Sequence, residues 1–247
     1  MSISANTLFH FTEKDKLFSI LSSSFTPKYS LEDLSNATPR ISIYKEAYIP
    51  MVCFCDLLFS QIKDHIDFYG DYGIGLRKNE WGIHKGISPI VYVPPKSISA
   101  AQIQAIATVI GSKLKNSNDR MVIRQQLQNF YKFVKPYSGV VENRKSHEKE
   151  NKTFYDEREW RYVPSNFQVL PKRKTSKKAL ENRNAIMQSS DKLTFDAKDI
   201  KYIIVKQENE IPEFAEFIEA RLTQFSESDR RLLVSKLISV EQIKDDM

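Results

Sequence analysis

Five of the chain's seven glycines fall between residues 70 and 86. Glycines gathered so closely mean that the backbone turns tightly there or lies hard against another segment. The runs around them are apolar and rich in β-formers. "IPMVCFCD" (49–56), "YGIGLRK" (72–78) and "ISPIVYVP" (87–94) each predict a strand, with the glycine-rich "NEWGIHKGI" between the last two. "SQIKDHIDFYG" (60–70) predicts a helix closed by Gly70.

The remainder alternates in character. "EKDKLFSILSS" (13–23) has the apolar spacing of a short amphipathic helix, with Thr12 as its expected N-cap, and a polar, irregular segment follows to about residue 47. Residues 97–134 carry two helical patterns broken near "KNSN", a helical insertion between strands. "KPYSGVVENRKSHEKENK" (135–152) reads as polar connection and "KALENRNAIMQ" as a helix. "KYIIVK" (201–206) reads as a buried strand, and "IPEFAEFIEARLTQF" as a helix with Pro212 in its first turn. The expected class is α+β, one domain over 1–247, with a mixed or antiparallel sheet of about five or six strands.

Composition bounds the function. No run approaches the ~20 apolar residues of a membrane span. The start, "MSISANTLFHF", lacks the pattern of a signal peptide, so no membrane partner and a cytoplasmic location are expected. Cys53 and Cys55 stand two apart on one strand, poorly placed to bridge each other, and are expected to be reduced and metal-free. His10, His65, His84 and His147 show no metal-ligand spacing, and neither a phosphate loop nor a serine-hydrolase elbow is present. The net charge is +6, and "PKRKTSKK" (171–178) concentrates five cations: Lys172, Arg173, Lys174, Lys177 and Lys178. Such a run is either a solvated loop or a track for nucleic-acid phosphates.

Three polar stations could carry chemistry. "LFHFT" (8–12), read as extended, puts His10 and Thr12 on one face and two phenylalanines on the other. "FYGDYGIGL" (68–76) has Tyr69 and Tyr72 bracketing a glycine turn. "FYDEREWRYVP" (154–164) reads as a strand with Glu157, Glu159, Arg161 and Val163 on one face and Arg158, Trp160 and Tyr162 on the other. Each station also has a structural reading: a satisfied histidine, packing tyrosines, a surface ladder of charges.

The pieces "LFHFT…LFSIL", "IPMVCFCDLLFS", "HIDFYGDYGIGLRKNEWG", "GISPIVYV" and "KPYSG…FYDEREWRYVP" resemble, over most of the chain, the AbiGi family of abortive phage-resistance proteins. That family is labelled the antitoxin half of a two-gene defence system, which implies a cognate toxin or antitoxin partner. A looser resemblance, resting on "HFT", the helix after it and the E-x-E strand, is to ADP-ribosyltransferase-like folds. That likeness implies NAD as substrate and transfer of ADP-ribose to a macromolecule, with nucleic acid as a candidate acceptor. Glu159 would then steady an oxocarbenium-like state and Glu157 would position the acceptor. His10 and Thr12 would bond the adenosine-side ribose, and Tyr69 or Tyr72 would stack on nicotinamide. The family's Ser-Thr-Ser motif has no counterpart, since "CFCD" stands in its place. Under this reading His10, Tyr69 and Glu159 converge on one cleft, with His10 and Glu159 on adjacent strands facing the same side. The alternative is a non-catalytic antitoxin or regulatory member that binds a toxin or nucleic acid.

Overall fold

The computed structural model describes residues 5–35, 45–113, 117–142, 148–190 and 192–245. The chain opens with β1 (Thr7–Thr12), α1 (Lys14–Ser23), β2 (Lys28–Asp33) and β3 (Glu46–Cys55). Next come α2 (Lys63–Tyr69), β4 (Tyr72–Arg77), β5 (Ser88–Pro89) and β6 (Val91–Val93). The insertion follows as α3 (Ile98–Lys113) and α4 (Ser117–Tyr131), and then β7 (Val134–Pro136), β8 (Ser138–Glu142), β9 (Lys149–Thr153) and β10 (Glu159–Tyr162). The remaining elements are β11 (Leu170–Pro171), α5 (Lys177–Ser190), β12 (Ile200–Val205), α6 (Ile211–Arg221), α7 (Glu227–Val234), β13 (Leu237–Ser239) and α8 (Val240–Asp245).

The fold is mixed α+β. Nine strands form the main sheet, in the order β13-β12-β4-β1-β3-β10-β5, with β2 and β11 pairing the first half of β3. Its ladders are antiparallel except for β12 with β13, which makes the sheet mixed. Two apolar clusters cover its faces. Leu8, Leu17, Phe54, Ile74, Trp81 and Phe214 belong to one, and Phe9, Phe11, Cys55, Ile62 and Ile66 to the other. Each such side chain contributes roughly 1.5–3 kcal/mol when fully buried. The alternation expected of "LFHFT" is therefore real, with Leu8 and Phe9 anchoring opposite faces.

The glycines answer to β1. A Cβ at Gly73 would meet the Phe11 ring at 3.0 Å, and one at Gly75 the Phe9 ring at 2.9 Å, so β4 makes room for the two phenylalanines crossing it. Gly70 does close α2, its N–H donating to Ile66 O from a φ of 141°. A Cβ there would sit 2.2 Å from Thr12 O.

Several local expectations are corrected. Thr12 is the last residue of β1; the N-cap position of α1 is Glu13, which makes no side-chain cap bond. Part of the segment read as irregular is β2, paired with β3. Residues 87–94 split at Ile90 into β5 of the main sheet and β6 of a separate pair. The "polar connection" after residue 134 holds β7 and the β8–β9 ribbon, two-stranded and too polar to show apolar alternation. Residues 154–157 form a 3-10 turn, and only 159–162 are strand. Thirteen strands are present among the described residues, most of the extra ones short.

β6 and β7 pair in parallel across the insertion, as a strand–helix–helix–strand crossover requires. Leu34, Val93, Ala100, Tyr131 and Val134 form its own small core.

Candidate functional site

β10 buries alternate residues: Glu159 and Arg161 point inward, Trp160 and Tyr162 lie half-buried against the opposite cluster. Glu157 precedes the strand but faces the same way, because Arg158 adopts a left-handed conformation (φ 45°) between the two glutamates. This turn, rather than strand periodicity, brings the carboxylates together.

Their charges are met from two other elements. Lys135 of β7 places its Nζ 2.7 Å from Glu157 Oε2 and 2.9 Å from Glu159 Oε2. Lys152 of β9 reaches Glu157 Oε1 at 3.0 Å, and the Tyr69 hydroxyl donates to the same oxygen. Arg161 Nε donates to Glu159 Oε1 at 2.5 Å, while its other nitrogens donate to Glu32 Oε2 and to Lys132 O, both at 3.0 Å. Three carboxylates thus face three cations. Burial opposes ionisation of Glu159, but Arg161 and Lys135 override it and hold its carboxyl below the usual range. Glu157 is likewise lowered against its burial by Lys135 and Lys152. Burial pushes the His65 imidazole down to about 4, partly countered by Glu157. Burial and then Glu157 push the Tyr69 phenol up, so it stays a donor.

β1 meets β3 at one register pair, Phe9 with Cys55, and the gap beside it is a cleft of about 210 Å³. His10, Tyr69, Glu157 and Glu159 line it, with His65, Lys135, Cys53 and Cys55. Tyr69, Glu157 and Glu159 share this cleft, but the expected convergence with a His10 facing the same side is corrected. β3 separates β1 from β10, so His10 and Glu159 are not on adjacent strands. Phe9, Cys55 and Glu159 are in register and share a face, which sends His10 to the other. There its ring meets Phe25 edge-on at 5.2 Å, and its Nδ1 donates to Cys53 O at 2.8 Å. Two other candidates lie elsewhere. Tyr72 donates to Glu210 at 2.7 Å and packs with Phe214, and Thr12 is buried beside Gly70 away from the cleft.

Lys172, Arg173 and Lys174 form an exposed 3-10 turn and Lys177 and Lys178 open α5, outside the cleft; Lys172 pairs with Glu46 at 2.6 Å. Cys53 and Cys55 are unbridged, and burial raises both thiols. Among the described residues no group of three or more His, Cys, Asp or Glu side chains is arranged to hold a metal, and no helix is long and apolar enough to cross a membrane. His147, one of the four histidines considered for a metal, lies outside the described residues.

Sequence reasoning passed over Lys135 and Lys152, and weighed His65 only as a metal ligand. The two lysines sit in a stretch that reads as polar connection, and a lone lysine there carries no local signal.

A second, open groove of about 860 Å³ adjoins the cleft and shares His65 and Glu157 with it. Its lining holds Asp67, Glu150, Asp156 and Glu157 against Lys152 and Arg158.

An α+β protein with an insertion clasped to its sheet by buried ion pairs is the class these features define. The family model described as "Putative abortive phage resistance protein AbiGi, antitoxin" matches residues 23–206, and the chain belongs to that family. It is also similar to the "Abortive phage resistance protein AbiGi" of Lactococcus lactis subsp. cremoris, 26% identical over 253 residues, covering 90% of this chain and 99% of the relative. No solved structure matches.

Proposed function

We propose that the chain serves in phage defence as a binding protein of the antitoxin kind, acting on a cognate toxin through contact rather than through chemistry. One observation carries this reading: every oxygen of Glu157 and Glu159 is already engaged by a cation or hydroxyl of the chain itself. A carboxylate committed to Arg161 and Lys135 is poorly placed to stabilise new positive charge on a ribose. Lys135 comes from β7 just after the insertion, and Arg161 of β10 donates to Lys132 O between α4 and β7, so the network works as a clasp at the root of α3 and α4. Those helices present Ile98, Ile106, Val109, Val122 and Phe130 to solvent, the apolar exposure that marks protein interaction sites.

A second reading, transfer of ADP-ribose from NAD to a macromolecule such as nucleic acid, is favoured by the meeting of Tyr69, Glu157 and Glu159 in one cleft, but His10 faces the other side of the sheet. The surplus of carboxylates in the adjoining groove weighs against it, being unsuited to a pyrophosphate. Purified chain given labelled NAD with bulk RNA, DNA and protein separates the two. Binding without chemistry predicts no nicotinamide release and a stable complex with the toxin. Nicotinamide release that disappears in Glu159→Gln would overturn it.

A further inference from the structure

The Lys152 ammonium is held in a way the clasp does not require. It lies 3.5 Å from the centroid of the Phe68 ring and 4.6 Å from that of Tyr69, as well as 3.0 Å from Glu157. Two ring faces and a carboxylate around one ammonium form a cation cage, in which the ring quadrupoles and the charge act together. Glu157 keeps Lys135 whether or not Lys152 is present, so vacating the cage leaves no buried carboxylate unpaired.

The occupant arrives on a separable element. Lys152 belongs to the β8–β9 ribbon, whose strands pair with each other and stand outside the main sheet. The groove leading to the cage has exposed carboxylates, Glu150 and Asp156 with Asp67, the last 3.8 Å from Lys244. On a chain of net charge +6, an acidic approach to an aromatic cage is complementary to a basic ligand and repels an anionic one.

We propose that Phe68, Tyr69 and Glu157 form a recognition cage for an arginine or lysine side chain of a partner protein, and that Lys152 is the internal occupant the partner displaces. This rests on the partner-binding reading above and names what that partner presents: a basic side chain on a segment able to enter the groove.

The test uses N-acetyl-arginine amide as probe and its uncharged citrulline counterpart as control, titrated calorimetrically into the full chain. Lys152→Ala should bind the arginine probe at least tenfold more tightly than the parent. Adding Phe68→Leu should remove the gain, and the citrulline compound should not bind. Equal affinity in parent and Lys152→Ala, or equal binding of citrulline, overturns the cage. Acylation of Lys152 in the parent, followed by peptide mass spectrometry, reads the same event without any substitution. Saturating arginine probe should speed that acylation several-fold, and an unchanged rate overturns the proposal. Neither measurement contains the toxin. A chain that captures toxin but ignores the probe therefore defeats the cage while the partner-binding reading stands.

Discussion

His65 shows how burial turns a single side chain into a pH dependence. Its folded pKa is about 4, against about 6.5 for a free imidazole, so the unfolded chain binds the extra proton first. Stability is therefore full above about pH 6.5 and falls as the pH drops towards 4, by at most about 3 kcal/mol. Glu157 and Glu159 add a second loss of the same sign at lower pH. Their folded values lie below the ordinary carboxylate range, so their contribution is present above about pH 4.3 and fades as the pH falls through the folded values. Thermal melts from pH 7 to pH 4 should show His65→Gln losing less stability than the parent across that window. Equal slopes would mean that another group carries the titration.

Elements are where the sequence was most and least readable. α3, α4 and β4 were legible because their apolar residues recur at one period and β12 because its apolar run is continuous, and Gly70, Gly73, Gly75 and Gly82 did mark close approach to a neighbouring segment, whereas Gly86 only turns the chain. The β8–β9 ribbon was not, since "KENKT" has no apolar face to alternate. Glu157 and Glu159 were rightly paired but for the wrong reason: strand spacing suggested it, whereas the left-handed Arg158 achieves it. Their partner Lys135 is joined to them only by the tertiary fold, and no local pattern could have named it. Three outcomes belong to this scale. Lys135→Met should loosen the insertion, so amide exchange across 98–131 should rise at least tenfold while β1 and β4 keep their protection. Equal change in both regions would refute the clasp. Gly70→Ala should destabilise the chain by about 3 kcal/mol or more, since it combines strain with a clash against Thr12 O. Gly86→Ala has open space around it at φ 75° and should lose only about 1 kcal/mol in a denaturant titration.

At the scale of the molecule, the family match begins at residue 23 and so leaves out β1, while taking in the clasp residues from Glu32 to Arg161. The charged network thus falls within the matched span, and His10, which led the NAD reading, falls outside it. The single register pair between β1 and β3 has a bearing on the whole architecture. On one side of that line stand β13, β12, β4 and β1; on the other stand β3, β10 and β5, with β2 and β11. The sheet is two leaves bound by one stitch, and the cleft is the gutter between them. Widening the gutter breaks almost no ladder, so what enters is limited by side chains rather than by backbone. The bonds that span it are those of side chains: His10 to Cys53 O, Tyr69 to Glu157 and Lys78 to Asp56.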